Sequence, residues 1–246
     1  MIQLTLIQID NYGPWTTHPA PRREADLQIL QASLYRDLQE QFSAEKAVVF
    51  PMRADNMLAV TNGMNEEGHR RIMESVNRRY PVTVSMSIAS AENAYEAQKI
   101  ATLALAEEGS AKNREKKGVI KVRGLSKGKV QMAHLDINNI TLHTDTDVYE
   151  SYVKVVETHL ALIREFERKN SLLFFMSGDN YISPCNGLTA DDVEEVMGNI
   201  EKTVGIKIKA GVGVADTAEQ AVHLASMGLK EIRTGKARGR LVFKEG

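Results

Sequence analysis

Four aspartates stand where apolar runs end or turn. Asp10 closes the alternating run IQLTLIQID at the N-terminus, and Asp55 sits in the turn Arg53-Ala54-Asp55-Asn56 between two further runs. Asp136 and Asp179 repeat this pairing in HLDI and SGDN. Carboxylates gathered at one sheet edge repel, and one is driven to protonate unless a cation comes between them. Two divalent ions roughly 3.5–4 Å apart, held by such a pair, suit phosphoryl chemistry. An aspartate in a turn needs no function taken singly, because Asp-Asn is good turn chemistry. A strand-end Asp matched with a turn Asp, twice in one chain, points instead to metal binding by Asp10, Asp55, Asp136 and Asp179.

The loop after Asp10 reads Asn11-Tyr12-Gly13-Pro14-Trp15. Gly13 permits close backbone approach, and free amides near a helix start favour phosphate. Arg22 and Arg23 fall where the first long helix should begin, a position that opposes the helix dipole. That placement makes sense if they meet a polyanion through bidentate contacts; the alternative is two solvated arginines beside Glu24 and Asp26. Asn11, Tyr12, Gly13, Arg22, Arg23 and Asn56 are the candidate nucleotide-binding residues. Trp15 reads as packing before it reads as a base-stacking platform. Cys185 reads as core, and Gly211 and Gly213 as sites of close backbone packing. The six histidines (His18, His69, His134, His143, His159, His223) form no HxH or HxxxH pair. With one cysteine besides, a zinc site is improbable and an oxygen-bound hard cation fits better.

An internal repeat must position these residues. FPMRADNMLAVTNGM, from Phe50, recurs as FFMSGDNYISPCNGL, from Phe174, at an offset of 124 residues. The same offset carries Ala97, Ala101 and Leu105 onto Ala221, Ala225 and Leu229. Upstream, Ile9-Asp10-Asn11 aligns with Leu135-Asp136-Ile137 at an offset of 126. Each copy reads strand, helix, strand, strand, helix, strand, helix. Helical spacing runs through Leu27, Leu30, Leu34 and Leu38, in a helix expected from Arg22 with Pro21 in its first turn. The pattern predicts an α+β protein of two tandem ferredoxin-like, palm-type domains from an internal duplication. The domains are expected at 1–108 and 130–246, joined by a basic, glycine-punctuated linker at 109–129 with room for a short strand at Val119–Val122. The crossover helix makes the first two strands of each copy parallel, so the strand-end and turn aspartates should meet at one edge.

Composition bounds the rest. The 246 residues are 43% hydrophobic and 26% charged, as in ordinary globular chains. A net charge of −1 argues against a general nucleic-acid binder. The N-terminus lacks a basic flank and its apolar run is broken by Gln3 and Gln8, so no signal peptide is expected. No stretch approaches the roughly 20 apolar residues of a membrane helix, and a lone cysteine suits a reducing, cytoplasmic setting.

The strand Asp with an Ala-Asp-Asn or Gly-Asp-Asn turn resembles the palm of nucleotidyl cyclases, diguanylate cyclases and family A polymerases, with Asn180 where the diguanylate group has Glu. The continuous likeness is narrower. IQIDNYGPWTTHPAPRREADLQ, RADNMLAVTNG, NRRYPVTVSMSIASAENAYEAQK, AHLDINNIT and SGDNYISPCNG resemble archaeal GTP cyclohydrolase III. That resemblance implies a duplicated nucleotidyl-cyclase-like palm and a homotetramer. It implies opening of the imidazole ring of GTP to a formamidopyrimidine nucleotide with loss of two phosphates, feeding flavin and deazaflavin synthesis. It further implies Mg2+, two ions per active site, and activation by a monovalent cation such as K+. Asp10, Asp55, Asp136 and Asp179 match the metal-binding positions of the two copies. The competing readings are a nucleotidyl or diguanylate cyclase and a non-catalytic guanine-nucleotide sensor.

Overall fold

The computed structural model describes residues 1–108, 113, 115–137 and 147–246. Part of the expected linker (109–112 and 114), the Asn138–Thr141 end of the second strand motif, and His143 lie outside the described residues. The chain divides into two compact units. Unit 1 comprises Met1–Glu92 and Glu96–Gly128, and unit 2 comprises Asn93–Tyr95 and Lys129–Gly246.

Unit 1 runs β1 (Ile2–Ile9), α1 (Tyr12–Thr17), α2 (Glu24–Ala44), β2 (Val48–Arg53), β3 (Asn56–Val60), α3 (Glu66–Arg79), β4 (Val84–Ala91), α4 (Ala94–Glu107, its start in unit 2) and β5 (Ile120–Arg123). Its sheet order is β2-β3-β1-β4-β5, with β1 antiparallel to β3 and β4. Unit 2 runs β6 (Val130–Ile137), α5 (Val148–Arg168), β7 (Phe174–Ser177), β8 (Asn180–Pro184), α6 (Ala190–Val204), β9 (Ile208–Ala215), α7 (Ala218–Arg233) and β10 (Leu241–Glu245). Its order, β7-β8-β6-β9-β10, is the same palm. The protein is α+β, two tandem ferredoxin-like domains from one duplication.

Alternation along the central strands sorts the two faces. Ile7 and Ile9 of β1 join Leu34, Leu38 and Phe42 of α2 in one core. Ala133, Leu135 and Ile137 of β6 join Leu162 and Phe166 of α5, with Val193 and Met197 of α6, in the other. Caps fix where helices begin. The Asn65 side chain accepts from the Gly68 amide at 2.9 Å at the start of α3. Thr189 and Asp192 form a reciprocal capping box on α6, which stops at Gly205 with φ 76°. Among the described residues, no helix is long and apolar enough to cross a membrane.

Three local readings change. The stretch expected as a basic linker contributes β5, which pairs parallel with β4 as β10 pairs with β9. Its apolar residues Ile120 and Val122 lie among lysines, and the strand falls within one residue of the short strand for which Val119–Val122 left room. The helix expected from Arg22 begins at Glu24. The Arg22 amide instead donates to the Thr16 carbonyl at 2.9 Å, and its guanidinium lies 3.7 Å over the Trp15 ring.

The third change is one of register. Asn56 faces Gln8 across β3 and β1, and Asn180 faces Asp136 across β8 and β6. Likewise Ser85 faces Gln8, and Lys209 faces Asp136. The buried amides agree. Gln3 N–H donates to the Asn62 side chain and its Nε2 to the Met64 carbonyl, as Gln131 does to Asn186 and Leu188. The first strands therefore superpose at an offset of 128, not 126. Asp136 stands where unit 1 has Gln8, and Asp10 corresponds to position 138, an asparagine outside the described residues.

On the other face of the unit 2 sheet, α7 lies directly on β9. A Cβ at Gly213 would fall 2.1 Å from the Ala221 carbonyl oxygen, and one at Gly211 2.0 Å from that of Ala225. Backbone oxygens cannot rotate aside, so the contact demands glycine. Gly213→Ala is expected to destabilise unit 2 by about 2 kcal/mol or more, read as a lower midpoint in urea unfolding; an unchanged midpoint would contradict this packing.

Candidate functional site

In unit 2, Asp136 is the penultimate residue of β6 and the β7–β8 turn carries Asp179. The turn is tied to the strand by the Ile137 N–H, which donates to the Asp179 carbonyl at 3.3 Å. Asp136 is almost fully buried, and a buried carboxylate requires compensation. Two cations supply it. Lys209 Nζ, on the neighbouring strand β9, lies 2.8 Å from Oδ2, and Arg233 Nη2, at the last turn of α7, lies 2.7 Å from Oδ1. Burial raises the Asp179 carboxyl above its ordinary range, and the charge of Asp136 adds to the rise; Arg233 and Lys209 offset part of it. The two carboxylates thus sense each other.

Asn180 connects the set. Arg233 Nη2 donates to its Oδ1 at 3.3 Å, and its Nδ2 donates to Asp179 Oδ1 at 2.9 Å. Because a guanidinium only donates, the amide orientation is settled. His134 Nε2, 3.0 Å from the same Oδ1, is then the protonated nitrogen, and Nδ1 accepts from Ser226 Oγ at 3.0 Å. Burial lowers the His134 pKa, so the ring is neutral at pH 7 and serves to hold Asn180.

Unit 1 is built differently. The Asp10 carboxylate accepts from Thr83 Oγ1 at 2.8 Å, Ser85 Oγ at 2.6 Å and the Gly118 amide at 2.9 Å. Asp55 is gripped by Arg53 of its own turn, at 3.1 and 2.7 Å. The backbones do adjoin, since Ile9 N–H donates to the Asp55 carbonyl at 2.9 Å, but each carboxylate has its own partners. At the position of Asp136, the Gln8 side chain donates to Asn56 Oδ1 at 3.0 Å and accepts from Lys116 Nζ at 3.1 Å.

The expected nucleotide residues divide similarly. Asn11 is left-handed (φ 51°), caps α1, and keeps a buried Oδ1 without a partner among the described residues. The Tyr12 hydroxyl accepts from Gln31, and the Gly13 carbonyl accepts from Thr16. Arg23 is exposed, 3.8 Å from Asp26. Arg22 and Arg23 line a groove of about 640 Å³ with Trp15, Ile29 and Tyr80; none of the four aspartates lines it. Cys185 is fully buried, its thiol pushed up to about 12 by burial, as a core residue should be.

Sequence reasoning missed Lys209, Arg233 and His134. Lys209 becomes visible only once β9 is registered against β6. Arg233 reads as an ordinary basic residue at a helix C-terminus. The donor set fits magnesium, which takes oxygen ligands and commonly needs only one or two carboxylates beside substrate phosphates and water. Among the described residues no group of three or more His, Cys, Asp or Glu is poised for a closed protein cage.

Because folding raises the Asp179 pKa, its charge opposes folding at neutral pH. That penalty fades as pH falls to the unfolded carboxylate value of about 3.9, where both states hold the proton. Asp179→Asn is therefore expected to raise the Tm of metal-free protein at pH 7, with the gain gone near pH 4. Added Mg2+ should raise the Tm of the native chain and not that of the variant. A lower Tm at pH 7 for the variant would remove the carboxylate repulsion from the account.

A family described as GTP cyclohydrolase III matches residues 1–245. A relative of that name from Methanothermobacter thermautotrophicus is 51% identical over 239 residues, 96% of each chain. One from Methanocaldococcus jannaschii is 51% identical over 249 residues, covering 99% of this chain and 91% of the relative. One from Methanococcus vannielii is 50% identical over 241 residues, covering 96% of this chain and 90% of the relative.

Proposed function

The chain belongs to the GTP cyclohydrolase III family, and from that membership we propose that it opens the guanine imidazole ring of GTP in unit 2. The product is 2-amino-5-formylamino-6-(5-phosphoribosylamino)pyrimidin-4(3H)-one. One water adds at the carbon between the imidazole nitrogens, the bond from that carbon to the ribosyl-bearing nitrogen breaks, and a formamide remains on the other. Two further waters release the terminal phosphates one after the other. The enzyme works in the cytoplasm as a homotetramer, with Mg2+ and a monovalent cation, K+.

The observation that carries the site is the convergence of Asp136, Asp179, Lys209 and Arg233. Asp136 and Asp179 would hold Mg2+, two ions per site. When bound, the metal supplies Lewis-acid polarisation of phosphate oxygens and a more acidic water. Lys209 and Arg233 keep the buried Asp136 neutralised before substrate arrives. The Arg233 side chain is 43% exposed, so its remaining donors reach solvent, and its planar fork suits a phosphate. Asn180, held by His134 and Arg233, orients the turn that carries Asp179. An amide at that place offers no base for a ribose hydroxyl, which favours water as nucleophile over the cyclase reaction. Asp10 and Asp55, committed to partners of their own, act structurally in unit 1.

Incubation with GTP and Mg2+ tests this directly. The expected result is loss of guanine absorbance, a formamidopyrimidine spectrum and two phosphates per GTP. Pyrophosphate with intact guanine would mean a cyclase, and binding without turnover a sensor. Asp136→Asn and Asp179→Asn should each lower kcat at least about 100-fold, while Asp55→Asn stays within about 10-fold of the native rate. Loss as deep in Asp55→Asn as in Asp136→Asn would overturn the assignment to unit 2.

A further inference from the structure

The surface of unit 2 carries an apolar stripe that the fold itself does not require. On α5, Ser151, Val155, Thr158, Leu162 and Phe166 face the core. A second face, turned about 140° away by the helical period, presents Tyr149, Tyr152, Val153, Val156 and Leu160, with exposures from 39 to 74%. Tyr149, Val153, Val156 and Leu160 are spaced 4-3-4, the seam of a helix that packs against another helix. Phe175 of edge strand β7, 37% exposed and 5.7 Å from His159 of α5, extends the patch at one side.

The duplication supplies an internal control. α2 occupies the same place in unit 1 and has the same length, 21 residues. At the positions of the stripe it carries Ala25, Gln28, Ile29, Ala32 and Arg36. One copy of the palm thus carries two alanines, two polar side chains and a single isoleucine where the other carries larger, apolar side chains throughout. Contiguous exposed apolar surface of this kind marks an interaction site.

The flanking charges select the occupant. Glu150, Glu157 and Arg164 recur every seven residues along one side of the stripe, and Arg168 follows one turn later. Acids therefore flank the first half of α5 and bases the second. A parallel copy would set acid on acid, whereas an antiparallel copy sets Glu150 and Glu157 of one chain against Arg164 and Arg168 of the other. The present partners of those arginines, Glu167 and Glu165, are neighbours on the same helix; Glu167 is 41% exposed, and a surface pair of that kind is easily exchanged, whereas Glu165 is 12% exposed and also accepts from Asn199. We propose that the α5 face of unit 2 is a two-fold interface between copies of this chain, formed by antiparallel α5 helices. The inference does not depend on the reaction assigned above.

Light scattering and sedimentation of the full chain test it. Val156→Glu and, separately, Leu160→Gln should halve the native mass while leaving circular dichroism and Tm unchanged, since both side chains are solvent-facing. A variant with Glu150→Lys and Glu157→Lys, and another with Arg164→Glu and Arg168→Glu, should each fall to half mass alone and regain the native mass when mixed. An unchanged mass in Val156→Glu and Leu160→Gln overturns the proposal, as does a native chain that is monomeric. Half mass in those variants with no recovery on mixing also overturns it, because the stripe then meets some surface other than α5.

Discussion

Two aspartates that repel each other at the rim of a sheet set the terms for unit 2. Asp136 is buried, and a buried charge left alone would be protonated or would destabilise the fold. Lys209 and Arg233 make it tolerable, and each arrives by a different structural route. Lys209 comes from the β9 register opposite β6. Arg233 comes from the end of a helix that Gly211 and Gly213 allow to sit on the sheet backbone. A methyl group at either glycine would lift α7 and carry the guanidinium off its carboxylate. The electrostatics of the site thus rest on two residues that have no side chain.

Duplication kept the palm and divided the chemistry. Unit 1 has a neutral amide, Gln8, at the place of Asp136, with Lys116 resting on its oxygen. It has Ser85 where unit 2 has Lys209, and that serine donates to Asp10. Three neutral donors hold the Asp10 carboxylate, where Lys209 and Arg233 hold Asp136 with two cations. The α5 stripe differs between the copies as well, since the equivalent face of α2 carries Ala25, Gln28, Ile29, Ala32 and Arg36. The larger apolar side chains on the outer helix concentrate in unit 2.

Much of the fold was legible because its signals are local. Apolar spacing located the start of α2 to within two residues, and the repeat of Asp-Asn and Asn-Gly turns gave the palm order twice. The buried Ala97, Ala101 and Leu105, matched by Ala221, Ala225 and Leu229, follow the offset of 124 read from the residues alone. β5, short and set among lysines and arginines, still lies within one residue of the strand for which Val119–Val122 left room, but its place in the first sheet was not legible. The cationic half of the site was not legible, because cross-strand neighbours share no sequence spacing. Lys209 lies 73 positions from Asp136, and only the sheet makes them adjacent.

The offset of 126 read for the first strands has a more specific cause. Side chains alternate across a strand with a period of two, so a slip of one residue turns every apolar group outward and is excluded at once. A slip of two preserves the faces completely. Offsets of 126 and 128 therefore satisfy the hydrophobic pattern equally, and matching the two strand-end aspartates favoured the wrong one. What separates them is the far end of the strand, where Gln3 and Gln131 make the same hydrogen bonds to the Asn-Gly turns of their copies. Those amides have no chemistry to offer a substrate, yet a buried amide accepts only one set of partners, and that demand fixes the register. Fixing it aligns Asp136 with Gln8 and Asp10 with position 138.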